Sequence, residues 1–578
     1  MAAFNWAGNQ AVQSVINIGP LAILAPLLDR LDLANIIDRH LPPDPQLEYS
    51  HGEVLSLFLA ARIAKPTALV NVAAWAEKSG AELLWNIPAD KLNDDRIGRS
   101  LDAFFNQRHS IQASATVHAL RLAELSLERV HFDPTHVLFH GAYPFSHPRS
   151  SDMSTSPPQS SAFIEPAHIT HGYLAKDRKM VQVGAAAVVD KLGAVPIFAH
   201  VVGGNQNGHT ALHEHFELLR QQLPLPDRML MISDRGTFSA GHVARLSKHG
   251  YHVLCSVPWG DFRDLYDAHA SGFAWQQASY LSIEQRRRRD NDAPLPQEHY
   301  EIAVLGHTLL DPETKADIPG RVIFTYSTAD EKVCQKTRQR DVERLRAGLD
   351  KIAAAVRHGH PRTKLENIPR RVATLLGKKA VAQYFHWQLQ PLSAQEQAAL
   401  PPPMRGCRRP THQFVFHFDE VAAQADTRYD GLSALVTTAP QTQSGDALFT
   451  MFKEQNFLET AHHQYKTPLA VSPVFLKLPR RVEALVCLLQ IALQVYQMLE
   501  RLYRQSLPEK APVHEQRLTA ESILKTFEVH GVWAEETSLG RVVHATEPTS
   551  RQRKILTRLN LPTPAKYLAK CLPPVPTG

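Results

Sequence analysis

Cysteine is scarce in this 578-residue chain: Cys255, Cys334, Cys407, Cys487 and Cys571 lie far apart, with no CxxC pair. That scatter argues against a disulfide framework and a zinc ribbon, and fits a reducing, cytoplasmic setting. A basic segment at the start is also missing, since the first basic residue is Arg30, so no secretory signal is expected. Long unbroken apolar runs are absent. The longest apolar segment, Val482 to Leu499, is interrupted by Glu483, Gln490, Gln494 and Gln497, and reads as a buried core helix rather than a membrane span. No Walker A loop, dinucleotide GxGxxG, GxSxG elbow or HExxH motif occurs, so neither a nucleotide cofactor nor a membrane partner is expected. A strong charge bias is lacking as well. The net charge of +6 permits a polyanionic partner without demanding one.

What is present is an ordinary globular composition, 44% hydrophobic and 21% charged, in a chain too long for one core. Residues 1–128 read as helical. Val54, Leu55, Phe58, Leu59 and Ile63 mark one buried face, and Asn93-Asp94-Asp95 is suited to capping a helix that carries Ile97, Leu101, Phe104 and Phe105. This region suits either a DNA-binding helix-turn-helix module or a helical packing domain. Residues 129–257 change texture. Strands are expected at Val130–His140, Met180–Val189, Val195–Val202, Arg228–Ser233 and His252–Val257, with helices at Thr210–Gln222 and Ser239–His249. The order β-β-β-α-β-α-β implies a mixed sheet flanked by helices. A Ser/Pro-rich stretch, Ser146–Pro166, reads as a mobile loop. Residues 258–444 read as an inserted β-rich domain with a charged helical arm. Residues 445–510 carry two long helices, Gly445–Tyr465 and Arg480–Tyr503, and residues 511–578 a helical tail.

Two acids follow apolar strands: Asp133 in HFDPTH and Asp234 in MLMISDRGTFS. Either one alone is accounted for by a turn or cap, and for Asp234 the helix beginning at Ser239 supplies the reason. Together, two carboxylates on neighbouring strands repel unless a cation lies between them. Mg²⁺ suits that place, because it prefers oxygen ligands and commonly takes one or two carboxylates plus substrate phosphates. A third acid is sought on the helix from Gly445, where Phe452, Gln455, Glu459 and Lys466 fall on one face at 3.6 residues per turn.

These segments resemble the DDE transposases of bacterial insertion sequences, in the subgroup with an inserted β-rich domain. The third acid of that subgroup sits in a helical signature of Tyr, two residues, Arg, three residues, Glu, six residues, Lys. Phe452, Gln455, Glu459 and Lys466 occupy those places, with Phe for Tyr and Gln for Arg. LNDDRIGRSLDAFF, HGYLAKDRKMVQVGAAAVVD, VPIFAHVVGGNQNGHT and DRGTFS extend the likeness over about two thirds of the chain. The resemblance implies an α/β fold: a ribonuclease H-like mixed sheet with a β-rich insertion domain and helical N- and C-terminal regions. It implies two Mg²⁺ ions (Mn²⁺ able to substitute) held by Asp133, Asp234 and Glu459, cutting element ends and joining them to target DNA. It also implies double-stranded DNA as partner, a homodimer on DNA, and a bacterial, nucleoid-associated location. Lys466, Arg235 and the position of Gln455 are the expected DNA contacts.

Other features have weaker readings. Arg286, Arg287, Arg288 and Arg289 are suited to gripping a DNA backbone or to forming a solvated loop, and the stretch from Arg357 to Lys379 offers the same choice. His209, His213 and His215 read as a capped surface helix rather than a zinc site. Trp275 reads as a core residue rather than a base-stacking one. Gln455 keeps open a catalytically impaired, transposase-derived DNA-binding protein, and a ribonuclease H-like nuclease without joining activity is a third reading.

Overall fold

A computed structural model describes residues 15–139, 165–172, 178–206, 208–289, 293, 294, 296, 298–359, 363–403, 405–469, 476–537 and 540–571. Most of the Ser/Pro stretch therefore lies outside the described residues. The chain divides into two compact units, one made of Met1–Ser256, His307–Gly320 and Val436–Gly578, the other of Val257–Gly306 and Arg321–Leu435.

Residues 21–122 of the first unit are mainly helical. In α1 (His51–Ala64), the Ser50 side chain and Glu53 form a reciprocal capping box, and nearly every residue of the helix is buried. α2 (Asp94–Leu122) starts at Asn93, whose side chain accepts the Arg96 N–H. The sheet follows. β1 (Arg129–Phe139), β2 (Lys179–Asp190) and β3 (Gly193–Gly203) are antiparallel neighbours, and after α3 (Gly208–Gln222), β4 (Leu230–Ser233) pairs parallel to β1. After α4 (Ala240–Lys248), β5 (His252–Ser256) pairs parallel to β4. The resulting order, β3-β2-β1-β4-β5, is the mixed α/β sheet expected from the alternation of elements. β4 starts at Leu230 rather than at Arg228, because Arg228 takes a left-handed backbone (φ 61°) that no strand residue adopts.

In the second unit a short basic helix, α5 (Ile283–Arg289), precedes the 30-residue α6 (Thr328–Arg357) and then α7 (Ile368–Leu376). β6 (Phe385–Pro391) and β7 (His412–Phe418) pair antiparallel and pack with α6 and α7 around Leu345, Leu349, Ile352, Ile368, Val372 and Phe385.

Back in the first unit, the single helix expected over Gly445–Tyr465 is two. α8 (Gly445–Lys453) ends at Glu454, and α9 (Asn456–Lys466) starts after Gln455. An ion pair from Glu454 to Arg129 at the start of β1 (3.0 Å) pins the junction. α10 (Pro479–Gln505) holds the apolar segment, and every residue from Val482 to Tyr503 is buried. It is the one helix among the described residues long and apolar enough to cross a membrane, and its apolar window lies wholly inside the unit. Its partners explain its polar interruptions. Gln494 donates to Thr116 and to the Pro196 carbonyl, while Gln112 of α2 pairs with both the N–H and the C=O of Ala199. The outer edge of β3 is thereby hydrogen-bonded by side chains of two covering helices, which blocks edge-to-edge pairing. Glu483 forms a buried ion pair with Arg108 (2.6 Å), and Arg480 and Arg481 grip Asp102 (3.0 and 2.7 Å).

The C-terminal tail is not wholly helical, as had been expected. Gly531–Thr537 and Gly540–Ala545 form an antiparallel pair, to which Ile16–Asn17 adds a third strand. Val532, Trp533, Val542 and Val543 favour extended backbone, and the two glycines bound the strands.

Candidate active site

β1 and β4 run parallel with Phe132 opposite Ser233, so Asp133 and Asp234 follow the last paired residues on adjacent strands. Registered residues of neighbouring strands project to one face, at a strand spacing of about 4.8 Å. Asp133 is opposite Ala185 on its other side, and Ser233 is opposite Cys255, which puts Ser256 beside Asp234. The neighbours of the two acids on the sheet are thus a small residue on one flank and a hydroxyl on the other. Asp133 is half-buried and Asp234 exposed.

Each carboxylate is oriented. Ser256 Oγ donates to Asp234 Oδ1 (2.7 Å), and the Arg235 N–H donates to the same oxygen (2.6 Å), capping the turn Arg235–Thr237. The helix α4 has its own cap, the Ser239 hydroxyl, which accepts the His242 N–H (3.1 Å). Asp234 is therefore not needed to start that helix. Asp133 Oδ2 meets His462 Nδ1 at 3.1 Å.

His462 is the residue that the sequence reading missed. It is nearly buried in α9 and lies three positions after Glu459, so both stand on the same side of the helix. The repeated histidine in ETAHHQYK, one turn beyond the acid, was the available signal. Glu459 is exposed, in the first turn of α9. Lys466 lies close enough to Asp133 to feel its charge. Partial burial lowers its ammonium from the usual lysine range, and Asp133 opposes that shift. His136 is lowered by burial and by the Lys466 charge, again against Asp133.

The break between α8 and α9 changes the expected stripe. Gln455 sits in the junction, 8% exposed, and its backbone carbonyl accepts the Leu458 N–H (2.8 Å). It presents almost no surface to a ligand. Arg235 is exposed directly after Asp234. The arginine run lies in the other unit, on α5. There Arg286 stacks over the Tyr280 ring (5.5 Å), Arg288 pairs with Glu284 (2.8 Å) and Arg289 is exposed; Arg287 has no described side chain.

The donor chemistry of Asp133 and Asp234 fits a hard cation: two carboxylates that follow paired residues of adjacent strands. Among the described residues, no three His, Cys, Asp or Glu side chains converge into a group able to hold a metal ion. Glu459 thus belongs to the helix packed beside Asp133 without joining a closed triad. α3 is not the surface helix that its histidines suggested. His215 is fully buried against Phe132 (4.8 Å) and Phe198 (5.5 Å) beneath the sheet.

A family described as a domain of unknown function (DUF4277), found in transposases, matches residues 13–114. No curated protein matches the sequence. Among solved structures, a piggyBac transposase synaptic complex with hairpin DNA is similar at 9% identity and a TM-score of 0.34, over 97% of this chain and 87% of that one. That likeness is too distant to carry an argument about fold or activity.

Proposed function

We propose that the chain is a DDE transposase of the bacterial insertion-sequence type, with a ribonuclease H-like core that cuts and joins DNA at Asp133, Asp234 and Glu459. The observation that carries this reading is that Asp133 and Asp234 directly follow the paired residues Phe132 and Ser233 on adjacent parallel strands, in the strand order β3-β2-β1-β4-β5. The family match over residues 13–114 supports it independently.

Asp133 and Asp234 would hold Mg²⁺, with Glu459 completing the set once substrate is bound. Bound there, Mg²⁺ supplies charge stabilisation for in-line phosphoryl transfer and a lowered pKa for attacking water. The protein groups do the positioning. Ser256 and the Arg235 N–H fix one oxygen of Asp234, and His462 fixes one oxygen of Asp133, leaving each acid a preset direction. Lys466 and Arg235 place positive charge where a scissile phosphate would lie. Double-stranded DNA is the partner in this reading, and a homodimer holds two element ends.

A second reading, a DNA-binding protein of transposase descent without catalysis, is favoured by the burial of Gln455 and the unclosed triad. Incubating the chain with labelled element ends and Mg²⁺ separates the possibilities. Nicking and joining support the transposase, binding alone supports the second reading, and cutting without joining supports a nuclease.

A further inference from the structure

In the second unit, α6 and α7 enclose a groove of about 920 Å³. Its floor is apolar, with Ile352 buried and Leu375 half-buried, and its lips carry Lys351, Lys364, Arg370 and Arg371. Gly348 lets Leu375 pack close to α6: a Cβ there would stand 2.6 Å from Leu375 Cδ1, and the leucine would have to shift.

The charge around this groove is one-sided. From Lys351 to Lys379 the sequence holds eight Lys or Arg residues and one acid, Glu366. Glu366 pairs loosely with Lys364 (3.9 Å), both side chains exposed. Lys351, Arg370 and Arg371 are exposed and, among the described residues, make no ion pair. The core does not need these side chains, because α7 buries its opposite face through Ile368 and Val372. Unpaired cations held along two helices in one groove raise the local potential for a polyanion.

We propose that this groove binds the phosphate backbone of double-stranded DNA, a reading that rests on the chain acting on DNA and assigns a contact remote in sequence from Asp133 and Asp234. The cations flank an apolar floor suited to deoxyribose, and no base-reading arrangement is needed, so binding is insensitive to sequence and steeply salt-dependent.

The test uses the full chain and a fluorescein-labelled DNA duplex of arbitrary sequence, with anisotropy followed across NaCl concentrations. The variant Lys351→Ala/Arg370→Ala/Arg371→Ala is expected to lose about tenfold or more in affinity, and its log–log salt slope to shrink by roughly 2 to 3, about 0.9 for each lost phosphate contact. Thr374→Glu, an exposed substitution on the same lip, should weaken binding in the same direction, while Lys332→Ala/Lys336→Ala at the other end of α6 should not. Thermal melting of each variant checks folding. Unchanged affinity and slope in the triple variant overturn the proposal, as do absence of duplex binding by the parent chain and groove-dependent binding of an acidic peptide in place of DNA. The catalytic reading fails separately: if Asp133→Ala still cuts DNA while the triple variant loses binding, the groove stands and the active site does not.

Discussion

At the scale of single residues, the candidate site depends on groups that orient carboxylates more than on the carboxylates alone. His462 touches Asp133 and reaches the site from a helix distant in sequence. Removing it should leave Asp133 in place but freer to rotate. His462→Ala is expected to raise the Mg²⁺ concentration needed for half-maximal cleavage by about 10- to 100-fold, the range seen when outer-sphere partners of metal ligands are lost. A Mg²⁺ titration at saturating DNA reads this directly. The buried pair Arg108–Glu483 makes a contrasting case. Burial pushes the Glu483 carboxyl up, Arg108 opposes that shift, and the Ala167 N–H also donates to Glu483 (2.7 Å). Glu483→Ala would strand a guanidinium in the core and should destabilise the chain by roughly 3–5 kcal/mol in urea denaturation.

At the scale of elements, the strands that lead to Asp133 and Asp234 were legible, and the helical segment that carries Glu459 was only half so. Runs rich in β-branched and apolar residues marked the strands β1 to β5 to within two residues, while the strands of the C-terminal tail went unmarked. The one early start, at Arg228, fell on a residue with a left-handed backbone. Sequence periodicity ran straight through Glu454 and Gln455, where the structure ends one helix and starts the next. At the break Glu454 pairs with Arg129, a tertiary contact that no local pattern records. For the same reason His462 was passed over: its role comes from Asp133, more than three hundred positions earlier. The covered edge of β3 was equally hidden, since nothing local in the sequence gives Gln112 or Gln494 a partner on that strand. Gln112→Leu should leave the Ala199 N–H and C=O without side-chain partners, at a cost on the order of 1–3 kcal/mol for each group left buried and unpaired. Hydrogen exchange of the Ala199 amide should accelerate in that variant. The link between α10 and the β2–β3 turn is electrostatic. Burial raises the Asp190 carboxyl, but hydrogen bonds and charge from Arg501 outweigh it and hold the group below the usual range. A depressed carboxylate stabilises the fold above its unfolded pKa and loses that contribution as pH falls through the folded one. Asp190→Asn should therefore show a smaller drop in stability between neutral and strongly acidic pH than the parent chain.

At the scale of the whole molecule, buried histidines set the acid limit of the first unit. Burial, helped by Arg129, lowers His131 to about 3. Burial with Arg108 lowers His109 to about 3 and His200 to about 4, although His200 also lies 3.8 Å from Glu214. These groups are neutral in the folded chain and take up protons when it unfolds. Their folded pKa values lie below the unfolded value near 6.5, so the stability they permit is complete above that pH and falls from 6.5 down to about 4 for His200 and about 3 for His131 and His109. Each costs about 1.4 kcal/mol per pH unit in that window. Denaturation series at pH 7 and pH 5 should show the loss, and replacing His200 with Gln should reduce it.

The central claim is that Asp133 and Asp234 bind the catalytic metal, and a change of ligand atom tests it most directly. Asp133→Cys and Asp234→Cys replace a hard oxygen donor with a thiolate, which Mg²⁺ accepts poorly and softer divalent ions accept more readily. Cleavage of labelled element ends would be measured for the parent chain and both variants in Mg²⁺ and in Mn²⁺. The account predicts that both variants lose activity in Mg²⁺, at least about a hundredfold, and recover a substantial part of it in Mn²⁺. Full activity of either variant in Mg²⁺, or an equal loss in both metals, would contradict it.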